Sequence, residues 1–133
     1  MELNLKIIGV LLICLGLLHV VFPRYFEWKT DLVPLKPINR SMLKVHAFFI
    51  AFTVLMMGLL CLTSSQDLLY TVLGKKICLG LGIFWLVRLF FQFFVYPSIL
   101  WKGKRLETIL HILAGLFWLY LSLIFFNVYF NLF

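Results

Sequence analysis

Four apolar segments follow one another along the chain, separated by short stretches that are rich in charged residues, proline and glycine. They cover about residues 7–22, 45–63, 77–100 and 109–133. Each segment is close to the roughly 20 residues that a helix needs to cross a bilayer. The pattern predicts an all-α fold, an integral membrane four-helix bundle with four transmembrane helices. These helices form a single multi-pass membrane domain over residues 1–133.

The composition supports a membrane protein. Hydrophobic residues make up 64% of the 133 residues and charged residues 13%, whereas an average soluble protein has about 45–50% and about 25%. A soluble domain of this size has too little interior to bury so much apolar surface. Much of the apolar surface must therefore face lipid.

The basic residues predict how the helices are oriented in the membrane. The loops at 24–44 and 101–108 carry most of them: Arg24, Lys29, Lys36, Arg40, Lys44, Lys102, Lys104 and Arg105. The opposite side carries only Lys6, Lys75 and Lys76. The positive-inside rule then places both loops in the cytoplasm and both termini outside. Because the net charge of +7 lies in these short segments, it indicates contact with anionic lipid headgroups and not with nucleic acid.

A group of polar residues falls in the predicted cytoplasmic half of the spans. Its members are His19, His46, Arg88, Gln92, Tyr96 and His111. Helical spacing places Trp85, Arg88, Gln92 and Tyr96 on one stripe of the third span, and His111, Gly115, Trp118 and Ser122 on one stripe of the fourth. Ionisable groups in membrane spans almost always face the bundle interior or a wet cavity. The stripes therefore predict a pocket that opens to the cytoplasm, with the histidines near its mouth and Arg88 at its floor.

Arg88 is the most informative member of this group. It lies nine residues before Pro97, about 13 Å along a helix axis, which is too far for comfortable snorkelling to the headgroups. The four spans contain no Asp or Glu. Arg88 therefore needs backbone carbonyls, water, a folded-in loop carboxylate such as Glu27 or Glu107, or a ligand with acceptor oxygens.

The predicted pocket suggests a ligand that is an amphiphile with an oxygen-rich head, such as a quinone or an anionic lipid. Arg, Gln, Tyr and protonated His donate hydrogen bonds to such a head, while its tail lies among aromatic side chains. The protein would then be an oxidoreductase or the membrane anchor of one, and whether it is an enzyme stays open. Its expected partners are membrane lipid, the amphiphile, and a membrane protein or further copies of this chain.

Other functions remain open from the sequence. Two of the three histidines could ligate a b-type haem, or His19, His46, His111 and Glu107 could hold a metal ion, although no His-x-x-x-His or Glu-x-x-His motif is present. Arg88 and Gln92 could instead form a hydrogen-bond network that only fixes helix packing, in a non-catalytic subunit or assembly factor. The cysteines form no C-x-x-C pair, which argues against a thiol–disulfide enzyme. The spans also lack the embedded carboxylate expected of a small proton-coupled exporter.

Overall fold

The computed structural model describes all residues 1–133; it is 83% helical and contains no strand. The helices are α1 (Glu2–Leu18), α2 (Phe22–Tyr25), α3 (Trp28–Asp31), α4 (Pro37–Thr63), α5 (Ser65–Tyr70), α6 (Val72–Phe90) and α7 (Arg105–Phe130). A π-helical segment (Phe91–Val95) continues α6, and a 3₁₀ turn (Ser98–Leu100) precedes α7. The chain divides into an N-terminal unit, Glu2–Ser65, and a C-terminal unit, Gln66–Phe133, to which Met1 also belongs.

Three helices are long and apolar enough to cross a membrane: α4, α6 with its π-helical continuation, and α7. In their most apolar stretches only 17%, 28% and 33% of the residues are buried inside the protein. Most of the apolar surface of these helices therefore faces outward, as expected of helices that are surrounded by lipid. The chain is an integral membrane protein with three helices of spanning length.

The first predicted span is represented by α1, which is shorter than the other three long helices. Its 17 residues extend about 26 Å, against a hydrocarbon core of roughly 30 Å. The helix ends at Leu18, and Pro23 stands in the first turn of α2, where its missing N–H costs nothing. Three helices of spanning length are therefore present, and the predicted bundle of four transmembrane helices is not confirmed.

Proline sets two of the other helix limits. The second apolar segment was predicted from residue 45, but α4 begins at Pro37, in the first turn, where proline is well suited. The third segment was predicted to reach residue 100, but its helix ends at Val95. Tyr96 is extended, with ψ of 128°, because a residue before proline avoids the helical conformation.

In the N-terminal unit, α1 packs along α4 through glycines. A Cβ atom on Gly9 would lie 2.9 Å from the carbonyl oxygen of Gly58, and one on Gly58 would lie 2.8 Å from the carbonyl oxygen of Gly9. The two backbones can approach this closely only because neither residue has a side chain. This contact fixes the register of α1 against α4.

In the C-terminal unit, α6 packs against α7 around a buried core that includes Cys78, Trp85, Leu121 and Phe125. Toward the loop between the two helices, the ring of Phe93 lies so close to Gly115 that a Cβ at that position would overlap it. This close approach brings the π-helical segment against the first half of α7, where the polar residues lie.

Candidate functional site

Gln92 is the centre of a polar network in the C-terminal unit. Its side chain is 6% exposed and contacts both helices. Its Oε1 accepts hydrogen bonds from Arg88 Nη1 at 3.1 Å and from Trp118 Nε1 at 3.4 Å. Its Nε2 lies 2.9 Å from Nδ1 of His111. The facing stripes of the third and fourth predicted spans thus meet through one buried amide.

These contacts determine the hydrogen positions of the network. Arg88 and Trp118 are donors only, so the atom of Gln92 that they both approach must be the amide oxygen. The amide nitrogen then donates to His111, whose Nδ1 accepts, and the ring proton of a neutral His111 lies on Nε2. A protonated His111 would direct an N–H at the amide N–H₂ and lose this bond.

Arg88 uses little of its donor capacity within this unit. Of its five N–H groups, one bonds to Gln92, and no carboxylate of the C-terminal unit pairs with it. Its guanidinium carbon lies 5.0 Å from the ring centroid of Trp118 and 5.4 Å from that of Tyr96. Cation–π contact stabilises the charge but satisfies no N–H group. Glu107, proposed from the sequence as a partner, forms no ion pair with Arg88.

A pair of stacked indoles lies beside the guanidinium. Trp85 and Trp118 are almost parallel, with ring centroids 5.1 Å apart and an interplanar angle of 6°. Trp118 donates its N–H to Gln92, but the N–H of Trp85 is buried and has no hydrogen-bond partner. A buried donor without an acceptor is uncommon in folded proteins and costs about 1–3 kcal/mol.

His111 is held by aromatic rings as well as by Gln92. The indole of Trp101 stacks on it with centroids 3.8 Å apart and an angle of 12°, and Phe93 meets it edge-on at 5.2 Å. Trp101 was not among the site residues predicted from the sequence, and its stack on His111 adds it to the surroundings of the network. The hydroxyl of Thr108 donates to the carbonyl of Trp101 at 2.7 Å, which holds the loop against the start of α7.

The π-helical segment places Gln92 in this position. Tyr96 N–H bonds to the carbonyl of Phe91 at 3.3 Å, five residues back, so the turn is wider than an α-helical one. π-helical turns within α-helices are rare and frequently occur at functional sites. The sequence carries no evident signal for this turn. The contact between Trp85 and Trp118 could have been inferred from the sequence, because the two residues lie on the facing stripes of the third and fourth segments.

The remaining predicted site residues belong to the N-terminal unit. His19 Nδ1 bonds to the carbonyl of Leu15 at 2.7 Å, and its ring packs on Phe22. His19 also lines a cavity, described below, which His46 does not line. His46 is exposed on α4. The structure therefore brings Arg88, Gln92, Tyr96 and His111 together, whereas His19 and His46 occupy separate positions in their own unit.

No group of three or more His, Cys, Asp or Glu side chains is arranged to hold a metal ion in either unit. Comparison of the chain with protein-family models, with curated proteins and with solved structures finds no match. Any functional conclusion must therefore rest on the chemistry of the residues themselves.

Proposed function

We propose that this protein binds the oxygen-rich head of a membrane amphiphile, a quinone or an anionic lipid, at the network around Arg88 and Gln92. The proposal depends above all on an excess of donors. The buried N–H of Trp85 has no acceptor, and Arg88, one turn further along α6, has no carboxylate partner in its unit. A head with two or more acceptor oxygens would satisfy both groups.

The surroundings of Arg88 suit such a ligand. Trp118 and Tyr96 offer flat rings beside the guanidinium, and the exposed Phe90 and Phe94 are 55% and 75% accessible. A hydrophobic tail can lie along these exposed rings while the head reaches the donors. A role in electron transfer or as a membrane anchor remains part of the proposal.

We also propose that α1 completes a bundle of four spans with both termini outside. Its outward side chains are apolar, with Leu3 70% and Leu17 58% exposed, and its backbone contacts that of α4 at Gly9. A helix about 4 Å shorter than the hydrocarbon core costs only fractions of a kcal/mol per Å, because the bilayer thins around it. The basic loops at 24–44 and 101–108 then lie in the cytoplasm.

A b-type haem ligated by His111 is a weaker candidate, because of the hydrogen bond that His111 makes. Iron binds a ring nitrogen that carries no proton, and the bond from Gln92 leaves Nδ1 as that nitrogen and occupies it. To ligate iron through Nε2, His111 would need the other tautomer. The amide of Gln92 would then turn its N–H₂ toward Arg88 and Trp118, both of which are donors.

Two indole variants offer a sharp test of the proposal. Trp85→Phe keeps an aromatic ring at the stack, removes an N–H that has no partner in the protein, and makes the buried side chain smaller. Trp118→Phe makes the same chemical change to the neighbouring ring, but removes a donor that bonds to Gln92. Each protein is purified in mild detergent, its visible spectrum is recorded, and the co-purified lipids and quinones are extracted and quantified by mass spectrometry.

We expect the unsubstituted protein to retain one amphiphile in a fixed ratio. Trp85→Phe should lower its occupancy about tenfold, as expected for one hydrogen bond to a charged or strongly polar head. It should destabilise the ligand-free protein less than Trp118→Phe, which loses the same ring volume and also the bond to Gln92. Arg88→Leu should abolish retention, while membrane insertion improves by up to ~2.5–3.5 kcal/mol. Equal retention of the same amphiphile by all variants would refute the proposal, and a Soret band would indicate haem.

A further inference from the structure

A cavity of about 780 Å³ lies in the N-terminal unit, between the segment that follows α1, the short helices α2 and α3, and residues 44–51 in the first half of α4. Its volume is within the roughly 300–1,000 Å³ of small-molecule sites. None of the residues that line it belongs to the network around Gln92. It is therefore a second place where the chain can hold a ligand.

The charged part of the cavity wall has a positive excess. Arg24, Lys29 and Lys44 line it, and Glu27 is the one acidic residue among the lining residues. None of these cations forms an ion pair with Glu27. Basic side chains that converge on a cavity without a carboxylate partner favour an anionic group, and phosphate accepts several charge-assisted bonds at once.

Another part of the wall follows one face of α4 and becomes apolar beyond Lys44. Lys44, Ala47, Phe48 and Ala51 line the cavity at the spacing i, i+3, i+4, i+7 of a single helical stripe. Lys44 is the charged end of this stripe, and Ala51 lies about 10 Å further along the helix axis. The two alanines leave room beside Phe48. The cavity thus changes from cationic to apolar along the axis of a helix that is long enough to span a membrane.

Exposed aromatic residues next to the cavity are suited to the membrane interface. Tyr25 and Phe26 are 64% and 54% exposed, and Trp28 lines the cavity itself. Such residues are enriched at the level of lipid headgroups. A free phosphate ion would use only the basic end of the cavity, whereas a lipid would use both ends.

We propose that this cavity binds the phosphate-bearing headgroup of an anionic lipid, with Arg24 and Lys44 at the phosphate and the start of an acyl chain beside Ala47 and Ala51. A zwitterionic lipid fits less well, because its cationic headgroup would be repelled by the same basic side chains. The proposal does not depend on a ligand at Arg88, since all its residues lie in the other unit.

The full-length protein in detergent is titrated with three probes: dioctanoyl phosphatidic acid, dioctanoyl phosphatidylcholine and inorganic phosphate. Binding is followed by native mass spectrometry and by the shift in melting temperature. The variants Arg24→Gln and Lys44→Gln remove single charges from the cavity, and Ala47→Leu fills its apolar part. Lys36→Gln is the matched control, because Lys36 lies in the same loop but does not line the cavity.

We expect phosphatidic acid to bind saturably, one molecule per chain, and more tightly than either other probe. Arg24→Gln and Lys44→Gln should each weaken the binding of phosphatidic acid about tenfold. Ala47→Leu should also weaken this binding, without lowering the melting temperature of the lipid-free protein. Lys36→Gln should change the affinity less than twofold. Arg88→Leu should leave it unchanged, which separates this proposal from the one above.

Any of four results would overturn the proposal. Equal binding of inorganic phosphate and phosphatidic acid would indicate a site for a free anion. Equal binding of phosphatidylcholine would show that the positive excess has no role. A loss of affinity with Lys36→Gln as large as that with Lys44→Gln would indicate diffuse attraction to a basic loop. Binding of phosphatidic acid that never saturates would indicate the same. If Ala47→Leu does not fold, the two charge variants still decide the question.

Discussion

Replacing Gln92 with leucine removes the centre of the polar network while preserving the approximate size of a buried side chain. Three groups lose their partner at once: the guanidinium of Arg88, the indole N–H of Trp118 and Nδ1 of His111. Leucine offers neither donor nor acceptor in exchange. The variant therefore measures what the amide contributes to the folded, ligand-free protein.

The magnitude follows from the number of bonds and from their membrane setting. Side-chain hydrogen bonds between membrane helices average about 0.6 kcal/mol and reach about 1.7 kcal/mol, because the unfolded helices also find partners in the membrane. Three such bonds give about 2 kcal/mol. The bond from Trp118 is long, at 3.4 Å, so a value well above 2 kcal/mol is not expected for Gln92→Leu.

Reversible unfolding in mixed detergent micelles, followed by tryptophan fluorescence, measures this loss. Phe91→Leu is the control, since Phe91 lies in the same π-helical segment but is 44% exposed. Gln92→Glu keeps two acceptor oxygens for Arg88 and Trp118, and a protonated His111 can donate to it, so it should retain most of the stability. If Gln92→Leu unfolds no more easily than Phe91→Leu, the network contributes nothing to the folded state.

Three further predictions concern the packing, the histidine and the topology. Gly58→Leu should separate α1 from α4 and destabilise the protein by about 1–3 kcal/mol. Gly80 has open space around it, so Gly80→Ala should be neutral or stabilising by up to ~1 kcal/mol. Equal unfolding curves for the two variants would refute the close contact between α1 and α4. Trp101→Ala should cost about 0.5–1.5 kcal/mol through the lost stack on His111 and Trp101→Phe clearly less, which thermal melts can compare. A reporter fused after Phe133 should be active only outside the cytoplasm, and cytoplasmic activity would refute the proposed orientation.

The sequence predicted the α-helical class and the polar contact between the third and fourth apolar segments. Both follow from periodicity, because residues at helical spacing share a face and buried polar groups turn toward one another in lipid. Arg88, Gln92 and His111 could be placed on facing stripes without coordinates. Gln92 and His111 are 19 positions apart, and two long helices joined as a helical hairpin bring residues at such positions together.

The sequence did not predict the finer features, and the reasons differ. The π-helical turn at Phe91–Val95 depends on packing against α7, and local helix propensity carries no information about such packing. The helix α1 ends at Leu18, whereas the apolar residues continue to Phe22, so the apolar pattern does not mark the end of the helix. The cavity at Lys44 arises from short helices in a segment of mixed composition, where periodicity carries little information.

The unpaired N–H of Trp85 is the observation that favours the proposed binding site over a packing network, because the two make different demands on the donors. Side chains that only hold helices together gain most when each donor has an acceptor in the protein, as the amide of Gln92 achieves for Trp118. Trp85 lies beside the same network, is 2% exposed and has no acceptor. Arg88 keeps an excess of donors in one unit, and three basic side chains lack a carboxylate partner around the cavity of the other. In both units the missing partner is an acceptor oxygen, and the lipids and quinones of a membrane carry such oxygens in abundance.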